Sequence, residues 1–208
     1  MFWVSFLALL ALVLLGVGVG LIVRAYKIWQ ASKNPPSTTP VDPFAFVTGA
    51  ERFSTTVIGP GAVISHGSTD YVVRGTLTCR QGPFEWYEHL LTSNKGPGWF
   101  EVEVDEGEVK LALWRTDRSA DLSPLGQVTY EGETYTEVER GPATYTSVGT
   151  TGLPMAGEMT YVDYKGPDGK LLSLEKYSDD SLWEVSIGHE VVPGELTIYP
   201  APPAQEYS

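Results

Sequence analysis

A short run of alternating side chains, residues 99–105 (WFEVEVD), contains the residue types best suited to hold or transfer charge. Successive side chains of a β-strand point to opposite faces, so alternate residues of this run share one face. Those residues are Trp99, Glu101, Glu103 and Asp105. Carboxylates beside an indole ring can bind a metal cation, or pair with the ammonium groups of a polyamine that stacks on the ring.

Two other interpretations of this strand face stay open on sequence grounds. Paired carboxylates also transfer protons in enzymes, so Glu101 or Glu103 could serve an uncharacterised hydrolase or transferase. That chemistry requires a pocket with unequal environments for the two acids, which the sequence does not reveal. The third interpretation is a strand face that is simply exposed to solvent.

The remaining reactive residues form no pattern that predicts a catalytic or metal site. The chain has three histidines and a single cysteine, too few and too widely separated for a zinc or iron site. They are His66, His89, His189 and Cys79. The sequence contains no dinucleotide-binding, P-loop, G-x-S-x-G or H-E-x-x-H signature. We therefore predict no catalytic residues, no cofactor and no metal ligands, and a single cysteine excludes an intramolecular disulfide.

The elements that position these residues are predicted to be antiparallel strands. Runs rich in Val, Thr, Tyr and Trp alternate with Gly, Pro and Asp-Gly turns. A first series comprises 63–66, 70–79, 84–92, 99–104 and 109–114, and a second comprises 127–130, 134–138, 143–146, 159–164, 171–177, 183–187 and 196–199. A short helix is predicted near Phe44 to Phe53.

The two series resemble each other, most clearly at 65–73 and 130–138, where a strand, a glycine turn and a second strand follow in order. We therefore predict an all-β fold with antiparallel strands in two similar, duplicated halves. The halves would form a small barrel or a sandwich-like domain, preceded by one transmembrane helix.

The predicted transmembrane helix runs from Phe2 to Val23, where Ser5 is the only residue that is neither apolar nor glycine. At about 1.5 Å per residue such a helix is roughly 33 Å long, enough to cross the hydrocarbon core of a bilayer. A signal peptide is a poorer interpretation because no basic residue precedes the segment. The flanking residues predicted at the membrane interface are Trp3, Arg24, Tyr26, Lys27 and Trp29.

Basic residues follow this segment but do not precede it, which predicts a cell-membrane protein with one span and a cytoplasmic C-terminal domain. The predicted organisation is a membrane helix and juxtamembrane end (1–29), a Pro-rich linker (30–43), an acidic β-rich domain (44–199) and a disordered tail (200–208). The net charge is −12, and removal of the three basic residues before residue 42 leaves −15 for the remainder. A field of this sign repels phosphates, so nucleic acid is not an expected partner.

A family resemblance covers roughly Val57 to Tyr199. The runs YVVRGTL (71–77), WYEHLL (86–91), WFEVE (99–103) and LSLE (172–175) resemble the bacterial domain-of-unknown-function family 4178. That family has no established catalytic residues, so none is carried over. Genes of similar members often neighbour genes for membrane-linked polyamine aminopropyltransferases and small membrane proteins, which implies an accessory role in an envelope or stress system.

These observations together favour a membrane-tethered, non-enzymatic interaction or accessory domain that binds a protein partner in the membrane. The first alternative is a sensor or binder of polyamine or metal cations through the acidic and aromatic face. The last alternative is an uncharacterised hydrolase or transferase.

Overall fold

The structure, a computed structural model, describes residues 49–105 and 108–201. The predicted span from Phe2 to Val23, its interface residues, the linker and most of the predicted tail lie outside this range, as does the Asp105 side chain. Within the described range, no helix is long and apolar enough to cross a membrane.

The described residues form an all-β fold, which confirms the predicted fold class. The strands are β1 (Val63–His66), β2 (Thr69–Gln81), β3 (Phe84–Ser93), β4 (Gly96–Asp105), β5 (Glu108–Asp117), β6 (Gln127–Tyr130), β7 (Glu133–Gly149), β8 (Ala156–Lys165), β9 (Lys170–Lys176), β10 (Glu184–Glu190) and β11 (Leu196–Tyr199). Short 3-10 segments occupy Gly49–Phe53, Pro167–Gly169 and Pro193–Glu195. The first of these is the part of the helix predicted near Phe44 to Phe53 that the structure describes.

Eight of these strands close into an antiparallel barrel. Their order around the barrel is β2-β3-β4-β5-β10-β9-β8-β7, and a further pairing of β2 with β7 closes the ring. This closing pair runs from Gly75 opposite Gly149 to Arg80 opposite Thr144. The shorter strands β1, β11 and β6 extend the sheet beyond the ring.

The two predicted series correspond to β1–β5 and β6–β11. Each begins with a short strand, a two-residue turn and a long strand, and the turn before β7 places Glu131 and Gly132 at φ 48° and 84°. Positive φ at both positions is typical of a turn that matches the twist of a hairpin. A common origin of the two halves stays a prediction.

Strand β7 differs from its prediction. The sequence 134–146 was expected to form two strands separated at Gly141-Pro142, but one strand continues through both residues. Pro142 lies opposite Thr160 of β8, and pairing on the other side with β2 begins only at Thr144. Proline is tolerated in a strand where one side is unpaired, because its missing N–H then costs no ladder hydrogen bond.

The barrel wall has apolar residues packed on both sides. Outside β8–β10, a buried cluster under β6 includes Tyr135, Tyr164, Leu172 and Leu174. Inside the barrel, a second cluster includes Leu77, Cys79 and Tyr145. The interior cluster fills only part of the barrel, and the remaining space forms the site described next.

Candidate binding site in the barrel interior

The barrel encloses a cavity of about 830 Å³ that is both acidic and aromatic. Eight Asp or Glu residues line it, and among the described residues Lys110 is the one basic residue in the lining. Indole and phenol rings from several strands complete the wall: Trp86, Tyr87, Trp99, Trp114 and Tyr161. The volume lies within the range of small-molecule sites, about 300–1,000 Å³.

Strand β4 places the predicted acidic face inside this cavity. Trp99, Glu101 and Glu103 all line it, whereas Phe100 and Val102 lie on the opposite face with no solvent exposure. Glu101 is therefore enclosed and does not belong to a surface exposed to bulk solvent, whereas the Glu103 side chain keeps 35% of its exposure and the solvent-exposed interpretation stays open for it. The sequence did not reveal this enclosure because alternation shows that residues share a face but does not show whether that face looks outward or into a closed barrel.

The neighbouring strands bring further carboxyl groups to the same space. Glu88 of β3 lies directly opposite Glu101 of β4 in the ladder. Asp163 of β8 and Glu175 of β9 also line the cavity, from the other side of the ring. We refer to Glu88, Glu101, Asp163 and Glu175 as the four interior carboxyls.

Ring N–H and hydroxyl donors hold the interior carboxyls in place. Trp86 Nε1 donates to Glu88 Oε1 at 2.9 Å, and Trp114 Nε1 donates to Glu101 Oε2 at 2.7 Å. An indole ring has a single N–H donor and no acceptor, so each ring can bond to only one oxygen of its carboxyl group. The second oxygen of that carboxyl group can accept a hydrogen bond from another donor.

Glu175 of β9 and Asp163 of β8 follow the same arrangement with hydroxyl donors. Tyr177 Oη donates to Glu175 Oε2 at 2.6 Å, and the Ser173 hydroxyl donates to Asp163. No described residue donates to the second oxygen of Glu88, Glu101 or Glu175.

The enclosure raises the pKa of all four interior carboxyls. Burial raises the pKa of Glu101 to about 8, and repulsion from Asp163 adds to the effect. Burial likewise raises the pKa of Glu175 to about 7 and that of Asp163 to about 6. The pKa of Glu88 lies well above its ordinary value because burial and the charge of Glu175 both disfavour ionisation. Near neutral pH the empty cavity therefore carries protons on some of these groups.

An ion pair and a hydrogen-bonded tyrosine also border the cavity. Lys110 Nζ contacts both carboxylate oxygens of Glu103, at 3.3 and 3.2 Å. Tyr161 Oη donates to Glu139 Oε1 at 2.8 Å, and its ring packs edge-on against Trp86 with 5.5 Å between centroids.

A glycine makes room for one of the cavity rings. Gly188 of β10 lies opposite Trp114 of β5, and a Cβ atom at Gly188 would lie 2.4 Å from Trp114 Cε3. A larger residue at this position would push the indole away from its place beside Glu101.

The histidines and the cysteine lie away from the interior carboxyls or are inert. The rings of His66 and His189 are 6.2 Å apart, with His66 Nε2 3.7 Å from Glu195 Oε2. His89 is fully buried, and burial lowers its pKa to about 3. Cys79 is buried, and burial raises the pKa of its thiol. Across residues 49–105 and 108–201, no three His, Cys, Asp or Glu side chains are grouped to hold a metal ion.

Sequence reasoning missed most of the interior set. The missed residues lie in strands rich in apolar and aromatic residues: Glu88 in FEWYEHLL, which also contains Glu85, Asp163 in YVDYK and Glu175 in LSLEKY. An acid at an alternating position of such a strand is the available signal, but it marks an interior only once the barrel is known to close.

Comparison with known proteins gives a family and relatives. The model of the family described as "Domain of unknown function (DUF4178)" matches residues 59–193. Relatives include the uncharacterized protein Rv2597 of Mycobacterium tuberculosis and the uncharacterized protein Mb2628 of Mycobacterium bovis. Each is 45% identical over 197 residues, which covers 90% of this chain and 95% of the relative. No solved structure matches the chain. The matched residues include all eight strands of the barrel, and the chain therefore belongs to the DUF4178 family.

Proposed function

We propose that the barrel binds an organic cation with one or more ammonium groups inside its cavity. The observation that carries this proposal is the arrangement of the four interior carboxyls. Glu88, Glu101 and Glu175 are each held by a protein donor on one oxygen and present a second oxygen without a donor among the described residues.

The chemistry of the cavity favours an amine over other ligands. An ammonium group carries three N–H donors and can satisfy several carboxylate oxygens at once. Trp86, Trp99 and Trp114 line the same space, and a cation over an indole face gains further attraction once water is excluded. A cavity lined by one sign of charge also raises the local concentration of oppositely charged ligands. A linear diamine or triamine satisfies all of these requirements.

The wider setting follows from the sequence predictions. We propose that the chain is a non-enzymatic accessory domain, tethered to the cell membrane through Phe2 to Val23, that presents the barrel to the cytoplasm and acts with a protein partner in the membrane. The proposed membrane tether and its orientation are supported by the apolar segment and by the basic residues that follow this segment. Ligand binding inside the barrel would then be the signal that the partner reads.

The proposal is tested by calorimetric titration of the full chain in detergent. The probes are spermidine, 1,4-diaminobutane, tetramethylammonium and Mg²⁺. We expect the two amines to bind at one saturable site, with weaker binding of tetramethylammonium because it has no N–H donors. Tight Mg²⁺ binding without amine binding would support the metal alternative instead, and no binding of any cation would refute the proposal.

Matched variants show whether binding occurs in the cavity. Glu88→Gln with Glu101→Gln removes two interior charges and should weaken amine binding at least tenfold. Glu158→Gln is the control, because Glu158 is an exposed residue of the same barrel on β8. Equal affinity in both variants would place binding on the outer surface and contradict the proposal.

A further inference from the structure

We propose that an ammonium ligand enters the barrel in exchange for protons, so that binding releases protons from the four interior carboxyls to solvent. This inference rests on the proposed function and deepens it by stating what the ligand replaces. The carboxyl O–H proton leaves to water, the ligand keeps its own N–H groups, and no covalent bond forms.

The cavity has an excess of acidic groups. The titratable and charged groups that face it come from every part of the ring. The acids are Glu51 before β1, Glu85 and Glu88 on β3, Glu101 and Glu103 on β4, Glu139 on β7, Asp163 on β8, Glu175 on β9 and, at the first residue of β10, Glu184. The other titratable groups are Cys79 on β2, Tyr87 on β3, Lys110 on β5, Tyr161 on β8 and Tyr177 directly after β9. Among these described groups the acids outnumber the bases, and the basic residue Lys110 contacts Glu103.

This excess of negative charge is unfavourable inside the barrel when the carboxyls are ionised. An enclosed carboxylate without a cationic partner loses much of its favourable hydration, and such groups become neutral by taking up protons. Glu88 shows the situation most clearly, since it is only 7% exposed and its Oε2 has no donor among the described residues. The empty cavity therefore balances its charge with protons, and a cation that replaces them leaves the total charge nearly unchanged.

The exchange of protons for a cation operates in a limited pH range. The pKa of Asp163 is raised to about 6, that of Glu175 to about 7 and that of Glu101 to about 8. Exchange therefore takes place between about pH 5 and pH 8. In this pH range, proton release makes the apparent affinity for an amine rise with pH. The rise is up to about tenfold per pH unit for each proton released.

Calorimetry in two buffers counts these protons directly. The full chain is titrated with 1,4-diaminobutane at pH 7, once in phosphate and once in Tris, whose enthalpies of ionisation differ widely. The apparent binding enthalpy should differ between the buffers by an amount that corresponds to about one to two protons released per diamine. Affinity should rise at least fivefold from pH 5.5 to pH 7.5.

Two variants locate the source of the protons. Glu101→Gln and Glu175→Gln should each reduce the number of released protons to about half of the wild-type number. Glu158→Gln should leave this number unchanged. Two replacements are used so that the loss of one variant to misfolding, checked by its melting curve, does not end the test. Diamine binding with the same enthalpy in both buffers would overturn proton exchange and leave the proposed function standing. Absence of diamine binding would refute both.

Discussion

Replacing Glu101 with Gln should stabilise the empty protein at alkaline pH and leave it unchanged at acidic pH. The substitution keeps the side-chain shape, and the Gln Oε1 atom can still accept the hydrogen bond that Trp114 donates to Glu101. It removes only the ability of this residue to become charged inside the barrel. The variant therefore isolates the electrostatic cost of one interior carboxylate.

The size and sign of the effect follow from the pKa of Glu101. This pKa is about 8 in the folded protein and 4.5 for an ordinary glutamate. Between these values the folded state binds more protons than the unfolded state, so the free energy of unfolding decreases as the pH rises from about 4.5 to about 8. For an isolated group the difference corresponds to about 5 kcal/mol, at about 1.4 kcal/mol for each pH unit.

The expected gain is smaller than that limit because the interior carboxyls share the cavity. When Glu101 becomes neutral, Asp163 and Glu175 ionise more readily, and water in the cavity screens part of the charge. We expect the free energy of unfolding of the variant to exceed that of the wild type by about 1–3 kcal/mol at pH 8.5. At pH 4.5 the two free energies should differ by less than about 0.5 kcal/mol.

Urea unfolding of the full chain in amine-free buffer, followed by tryptophan fluorescence at pH 4.5, 7 and 8.5, measures this difference. Glu158→Gln provides the control, since neutralising an exposed carboxylate on β8 should shift stability by no more than about 0.5 kcal/mol at any of these pH values. If Glu101→Gln is no more stable than the wild type at pH 8.5, or gains equally at every pH, Glu101 is not an enclosed carboxyl and the reasoning fails.

Three further outcomes are expected. Trp86→Ala should lower the free energy of unfolding by about 2–4 kcal/mol in urea, because the ring packs against Tyr161 and its N–H holds Glu88. Gly188→Val should displace the Trp114 ring and lower the melting temperature, since a Cβ atom there overlaps the indole. A reporter that works only in the cytoplasm should be active when fused after the last residue, and activity of a reporter restricted to the exterior would reverse the predicted orientation.

The local parts of this fold could be predicted from the sequence. Alternation in 99–104 indicated that Trp99, Glu101 and Glu103 share a strand face, and the structure places all three in the cavity lining. The β1–β2 and β6–β7 hairpins were also visible, because a glycine turn between two strand-forming runs is a short-range signal.

Closure of the barrel could not be predicted in the same way. It depends on the pairing of residues 75–80 with 144–149, about 70 residues apart in sequence, and no local pattern specifies such a partner. Asp163 and Glu175 could not be predicted as cavity residues for the same reason, because their strands line the cavity only when the ring is closed. Gly141-Pro142 looked like a strand end because proline is usually excluded from central strands, and the one-sided pairing at that point is a property of the closed sheet.

The indole N–H resonances of the full chain, followed during titration with 1,4-diaminobutane, show whether ammonium ligands bind among the interior carboxyls. Trp86 and Trp114 donate to Glu88 and Glu101, whereas Trp183 packs against the apolar cluster outside the barrel. Each resonance is assigned by its Trp→Phe variant. We predict saturable shifts of the Trp86 and Trp114 resonances with one common dissociation constant and no shift for Trp183. Unchanged Trp86 and Trp114 resonances at a saturating diamine concentration would contradict the account.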